Sequence, residues 1–158
     1  METTIKNEVR EIRWPGKTFV TVRTTLPFDK LTAFFSTNYA AIYQAIAKLH
    51  VQSVEPPCAI YYSVDEAKKV TDLAAAIPVH GLAGEIDGFE KLVVPASKAI
   101  TVTHYGSYDS MSASYNLLEK YIAEYGFKRK LILEEYLSDP AIEKDPANWK
   151  TNIYYIIE

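Results

Sequence analysis

Several features that are common in other protein classes are scarce in this chain of 158 residues. Cysteine occurs once, at Cys58, so the chain can form no internal disulfide and suits a reducing compartment. No apolar run approaches the roughly 18 residues of a membrane span, and residues 1–14 are charged where a signal peptide would be apolar. We therefore expect a cytoplasmic protein that has no membrane partner.

Clustered positive charge and metal-binding patterns are also sparse. The net charge is −3 and the longest basic cluster is Lys128 to Lys130, so we expect no direct nucleic-acid binding. The three histidines, His50, His80 and His104, match no metal-ligand spacing. Because there is also no glycine-rich phosphate loop and no Ser-His-Asp order, we expect neither a metal nor another cofactor.

Aromatic residues, by contrast, are abundant, with 12 Tyr, 6 Phe and 2 Trp. A tyrosine can line a wet cleft, because its ring packs while its hydroxyl stays hydrogen-bonded. Some of these rings fill cores, but the remainder exceed what so small a domain needs.

The sequence repeats itself at a spacing of 80 residues. Four identities occur within 15 positions, where composition predicts about one by chance. They are Pro15, Thr21, Val22 and Asp29, which recur as Pro95, Thr101, Val102 and Asp109. Thr71-Asp72-Leu73 also resembles Thr151-Asn152-Ile153 at this spacing. A duplicated unit indicates a pseudo-twofold arrangement, with a ligand site where the two copies meet.

Each half reads as strand, helix, strand, strand. Predicted strands cover 18–25, 58–64 and 71–79 in the first half, and 99–105 and 131–138 in the second. The last strand is predicted to begin at Trp149 or Thr151 and to end at Ile157. Helices are predicted from Leu31 to Leu49 and from Asp109 to Tyr125, and Gly126 suits the position after the second helix. The predicted fold is α+β, with tandem βαββ modules that form a curved antiparallel sheet with both helices on one side. It is one domain, 12–158, with halves 12–80 and 90–158.

The strand 131–138 carries the candidate chemistry. Alternation places Leu131, Leu133 and Leu137 on one face, which we expect to meet the helix, and Glu134 and Tyr136 on the other. Glu135 would then lie on the core side, so the opposite assignment of the two faces stays open.

Four segments resemble the GyrI-like family, the effector-binding domain of AraC-type and MerR-type multidrug regulators. They are His104 to Tyr108 (HYGSY), Glu134 to Pro140 (EEYLSDP), Trp149 to Ile153 (WKTNI) and Pro57 to Ser63 (PCAIYYS). The resemblance extends from about residue 12 to the end of the chain. One departure is Asn152, which stands where the family usually has glutamate.

The resemblance implies that Glu134 lies at the bottom of an aromatic cleft and meets lipophilic cations. Tyr105, Tyr136 and Trp149 would form the wall from the second half, and Tyr61, aligned with Tyr136, would face them. Ala59 then stands in the place of Glu134, so that one charge orients the ligand. Each residue also has a simpler interpretation: Glu134 as a solvated carboxylate, Tyr61 and Tyr105 as packing residues, and Trp149 as closing the edge of the core.

Three functions compete. The first is a stand-alone binding protein for a small lipophilic, possibly cationic molecule, since no helix-turn-helix fits before residue 12. The second, implied by hydrolase members of the family, is hydrolysis of a reactive electrophile, with Glu134 as general base and Tyr136 or Tyr105 as proton donor. The third is a protein-binding role like that of the family's gyrase inhibitor. The sequence leaves the oligomeric state open.

Overall fold

The computed structural model describes residues 8–49, 51, 53–82, 84, 86–139 and 142–158. His50 and Pro140, which were considered above, lie outside these residues. The chain divides into two compact units. The first unit is Gly16–Pro95, and the second comprises the described residues up to Pro15 together with Ala96–Glu158.

The first unit is an antiparallel sheet with one long helix. Its elements are β2 (Lys17–Pro27), α1 (Leu31–Ala47), β3 (Ser53–Val54), β4 (Cys58–Asp65), β5 (Val70–His80) and β6 (Glu90–Val94), which follow a strand β1 that belongs to the second unit. The strands lie in the order β4-β5-β2-β6, and β3 also pairs with β5. Helix α1 packs on a core that includes Val20, Ile42 and Ile77.

The second unit repeats this architecture. Its elements are β1 (Arg10–Trp14), β7 (Ser97–Tyr105), α2 (Met111–Tyr125), β8 (Arg129–Tyr136) and β9 (Lys150–Ile157). The strands lie in the antiparallel order β1-β7-β9-β8. Gly126 ends α2 in the left-handed conformation, with φ of 71°. The predicted α+β fold, built from tandem βαββ modules, is confirmed.

Three strands, β1, β3 and β6, were not predicted, and two of them, β1 and β6, extend the repeat. Arg10 of β1 pairs with Thr101 of β7, and Glu90 of β6 pairs with Thr21 of β2. Arg10 and Glu90 are 80 residues apart, as are Thr21 and Thr101, so β1 and β6 are equivalent strands of the repeat. Each therefore adds an equivalent strand to the sheet of its unit. The N-terminal strand β1 belongs to the second unit, and β6, which follows the predicted joint between the halves, belongs to the first.

The strand register corrects one part of the sequence alignment. Val20 pairs with Ile77, and its counterpart Ile100 pairs with Tyr155, so β5 and β9 correspond at a spacing of 78. Thr151 is therefore the equivalent of Leu73, and the similarity of residues 71–73 to 151–153 at a spacing of 80 is not structural. The register also makes Tyr61, which pairs with Leu73, equivalent to Tyr136, which pairs with Thr151.

Among the described residues, no helix is both long and apolar enough to cross a membrane.

Candidate functional site

The two faces of β8 are the reverse of the expected ones. Ile132 packs against the core beneath α2, and the Tyr115 hydroxyl of α2 donates to Glu134 Oε2, so the even-numbered residues face the helix. Glu135 lies on the other face, where Asn152 and Tyr154 donate to its Oε1 at 3.0 and 3.1 Å. The expectation that Leu131, Leu133 and Leu137 meet the helix is therefore wrong.

The physical reason is that both faces of this sheet are buried. Leu133 is fully buried on the helix-free face, as are Ala99 of β7 and Trp14 of β1. A buried leucine therefore did not identify the helix side, and the carboxylate two residues from a tyrosine lies beneath α2 instead.

Glu134 is a buried carboxylate that accepts two phenol hydrogen bonds. Besides Tyr115, the Tyr136 hydroxyl donates to Oε1 at 2.5 Å, and only 7% of the residue is exposed. Burial raises the pKa of Glu134, because the ionised form loses its hydration, while the two phenols and the nearby His104 act in the opposite direction. Burial and hydrogen bonding thus act in opposite directions on the pKa of this carboxylate.

Three aromatic rings lie together beside this carboxylate. Tyr108, in the short 3₁₀ turn before α2, meets the ring of Tyr136 edge-on at 5.6 Å and that of Trp149 at 5.0 Å. Tyr108 is 40% exposed, and its pKa is raised by burial and by the charges of Glu134 and Asp139. We call Tyr108, Tyr136 and Trp149 the ring cluster. The hydrogen bond from Tyr136 connects this partly exposed cluster to Glu134.

Backbone and side-chain hydrogen bonds fix the ring cluster. The Trp149 indole donates to the carbonyl of Glu143 at 2.8 Å, and the amide of Gly106 donates to the carbonyl of Trp149 at 2.8 Å. Gly106 has a φ of +123°, which a residue with a side chain rarely adopts. The turn that carries Tyr108 is thereby held against the start of β9.

His104 belongs to the polar side of the site. It is buried, and its Nε2 lies 2.9 Å from the carbonyl oxygen of Ser107 while its Nδ1 lies 2.9 Å from Ser114 Oγ. Because a carbonyl only accepts, Nε2 carries a hydrogen and donates it to Ser107. This network connects β7 to the first turn of α2.

The structure brings together some of the predicted site residues and separates others. Glu134, Tyr136 and Trp149 lie together, as the resemblance implied. Tyr105 does not join them, because His104 faces the helix and Tyr105 therefore points to the opposite face of β7, where its ring lies 5.9 Å from Lys150 Nζ. The grouping of Tyr105 with Glu134, which came from the family resemblance, does not agree with the faces of β7.

Tyr61 and Ala59 lie in the first unit, on the face of β4 that packs toward α1. Ala59 pairs with Ala75 of the α1 core and Tyr61 with Leu73, so both share that face. Ala59 is fully buried, and Tyr61 is partly buried. The expectation that Ala59 occupies the position of Glu134 agrees with the register, while a ligand-binding role for Tyr61 stays a prediction.

Sequence reasoning missed four residues of the site: Tyr108, Tyr115, His104 and Ser114. The sequence pattern identified Tyr115 only as part of the apolar stripe of the second helix. Its hydroxyl, which needs a hydrogen-bond partner when it is buried, could have indicated a polar group beneath the helix. Tyr108 ends the HYGSY segment, so the motif itself contained it. In the described part of the chain, no group of three His, Cys, Asp or Glu side chains could hold a metal ion.

A family model for the GyrI-like small molecule binding domain matches residues 7–157. The chain belongs to the GyrI-like family. Comparison with curated proteins gives no match.

Solved structures share the fold at low sequence identity. The EcmrR C-terminal domain is 20% identical with a TM-score of 0.79, and the match covers 96% of this chain and 97% of that one. A hydrolase from Listeria innocua is 14% identical with a TM-score of 0.66, covering 97% and 93%. SAV2435 bound to tetraphenylphosphonium is 12% identical with a TM-score of 0.67, covering 96% and 94%. At these identities the likeness shows the fold alone.

Proposed function

We propose that this chain binds a small lipophilic cation, with the Glu134 carboxylate as counter-charge and the ring cluster as its apolar contact. The observation that carries the proposal is a buried carboxylate that accepts from two phenols, one of which belongs to the partly exposed ring cluster. Membership of a small-molecule-binding family supports it, as does a neighbour in fold that was solved with tetraphenylphosphonium.

The electrostatic part of the argument rests on burial. A buried charge is costly unless it is paired with an opposite charge, and Glu134 accepts hydrogen bonds from two phenols. A cation placed about 4 Å away would gain roughly 4 kcal/mol at an effective dielectric constant near 20. A bulky organic cation gives up little hydration on entry, so more of that attraction is retained.

The ring cluster supplies the second part. Each ring face that meets a cation contributes about 0.5–2 kcal/mol, the larger value applying when water is excluded. Tyr108 and Trp149 are partly exposed and contact each other beside Tyr136, so their ring surface is accessible to a ligand. Charge therefore favours a cation over a neutral ligand, while the rings favour a lipophilic cation over a hydrated one.

The decisive experiment compares two neighbouring carboxylates. We expect Glu134→Gln to lower the affinity for tetraphenylphosphonium, measured by calorimetric titration, by at least about tenfold, which corresponds to 1.4 kcal/mol. Glu135→Gln is the matched control, because Glu135 is equally buried but lies on the opposite face of β8. Equal losses in the two variants, or undiminished binding by Glu134→Gln, would contradict the proposal.

A further inference from the structure

A buried hydroxyl beside Glu134 lacks a hydrogen-bond partner. Thr151 is fully buried, and its Oγ1 finds no partner among the described residues. A buried hydroxyl without a hydrogen bond destabilises a fold, so such an atom in a native structure requires an explanation.

The strand register locates this hydroxyl within the site. Thr151 of β9 pairs with Tyr136 on one side and with His104 on the other, in the row next to the Glu134–Ile153 pair. Tyr136 and His104 both face α2, and residues paired in adjacent strands share a face, so Thr151 faces α2 as well.

The polar side chains beside Thr151 already have other hydrogen-bond partners. The Tyr136 hydroxyl donates to Glu134, and both ring nitrogens of His104 are engaged, by Ser114 and by the carbonyl of Ser107. The neighbouring side chains thus leave the Thr151 hydroxyl unsatisfied while they satisfy one another.

The first unit shows that the fold does not need a hydroxyl here. The equivalent of Thr151 is Leu73, which is fully buried and pairs with Tyr61 as Thr151 pairs with Tyr136. The polar residue occurs in the unit that holds Glu134, and the apolar one in the unit that holds Ala59. The hydroxyl therefore occurs only in the unit that has the carboxylate, although both units have the same backbone arrangement at this position.

We propose that Thr151 is a specificity residue that hydrogen-bonds a polar group of the ligand, so that the preferred guest is a lipophilic cation carrying a hydroxyl or carbonyl group. This inference rests on the proposed cation binding at Glu134. The hydroxyl can donate or accept, and either bond would satisfy an atom that the free protein leaves unpaired. A wholly apolar cation would bind the carboxylate and the rings but leave Thr151 unsatisfied.

The test uses Thr151→Val, which removes the hydroxyl at nearly constant volume, and cations that differ by one hydroxyl. Tetraphenylphosphonium is compared with its meta- and para-hydroxyphenyl triphenylphosphonium analogues. We expect the variant to bind at least one analogue about tenfold more weakly than the natural protein does, with the affinity for tetraphenylphosphonium changed less than about threefold.

Two outcomes separate this inference from the proposed function. If the natural protein binds none of the phosphonium ions, the cation proposal fails and this inference fails with it. If all bind, but Thr151→Val changes the affinities for tetraphenylphosphonium and both analogues by the same factor, only the role of Thr151 is overturned.

A stability measurement tests whether the Thr151 hydroxyl lacks a hydrogen-bond partner in the free protein. We expect Thr151→Val to raise the melting temperature of the free protein by about 2–4 °C, since it removes an unsatisfied buried hydroxyl. Thr101→Val is the matched control and should lower it, because the buried Thr101 hydroxyl donates to the carbonyl of Ile153 at 2.8 Å. A lower melting temperature for Thr151→Val would show that the hydroxyl has a partner already, and would overturn the inference.

Discussion

The two units share a backbone plan but differ in chemistry on the face that packs against the helix. Equivalent strands pair in equivalent registers, and the tyrosines Tyr61 and Tyr136 recur. Four polar residues of the second unit correspond to apolar ones in the first, whereas His104 corresponds to Thr24. The corresponding pairs are Glu134 with Ala59, Thr151 with Leu73, Ser114 with Phe34 and Tyr115 with Phe35. A duplicated scaffold therefore holds one polar site and one apolar core at the same structural position.

The helix-free faces of the two units also differ, in how deeply their carboxylates are buried. In the first unit, Arg23 forms a two-pronged ion pair with Asp72 at 2.8 and 3.0 Å and lies 3.6 Å from the ring centre of Tyr62, in an exposed setting. In the second unit, Glu135 is buried, and Asn152 and Tyr154 donate to it. The carboxylate of Asp72 in the first unit is thus partly exposed, whereas that of Glu135 in the second is buried.

The strongest test of this comparison transfers the carboxylate to the first unit. We expect Ala59→Glu to lower the free energy of unfolding by about 3–5 kcal/mol at neutral pH, since it buries a charge where the repeat offers Phe35 in place of the phenol of Tyr115. Urea unfolding measures the change.

Overpacking must be separated from charge in that experiment. Ala59→Met adds similar volume without a charge, and we expect it to cost about 1–3 kcal/mol. If Ala59→Glu is no less stable than Ala59→Met, the first unit tolerates a carboxylate at this position, and the comparison loses its physical basis.

The sequence predicted the elements of both units because their periodic patterns are clear. Helix α2 and its end at Gly126 follow from an apolar stripe and a glycine that takes the left-handed conformation. Strands β1 and β6 were missed because both are short and mostly exposed, so charged residues obscure their alternation. Only the pairing of β1 with β7 and of β6 with β2 in the structure shows that they belong to the sheets.

The site was predicted in part, for a similar reason. Glu134, Tyr136 and Trp149 lie in recognisable segments, and the structure brings them together. Which face of β8 meets the helix could not be read from alternation, because leucines cover the helix-free face as well. The partners Tyr115 and His104, and the unpaired Thr151, depend on how α2 is seated over three strands, which is a tertiary property.

A smaller effect is expected in the pH dependence of stability. Burial raises the pKa of Glu134 in the folded state above its unfolded value, so the folded protein binds the proton more tightly. Stability is therefore greatest below the unfolded pKa of Glu134 and declines as the pH rises through the folded pKa. Glu134→Gln removes this contribution, so the variant should gain stability relative to the natural protein over that window, by at most about 1.4 kcal/mol per pH unit.

Denaturant unfolding of both proteins from pH 4 to 8 at constant ionic strength measures this difference. A second series with saturating tetraphenylphosphonium should flatten it for the natural protein, because the bound cation favours the ionised carboxylate that burial opposes. A gap that stays constant with pH, or that narrows as the pH rises, would mean that the two phenols outweigh burial in setting the pKa of Glu134. The second unit would then stabilise its carboxylate without a guest, and its polar site would be a structural feature of the fold.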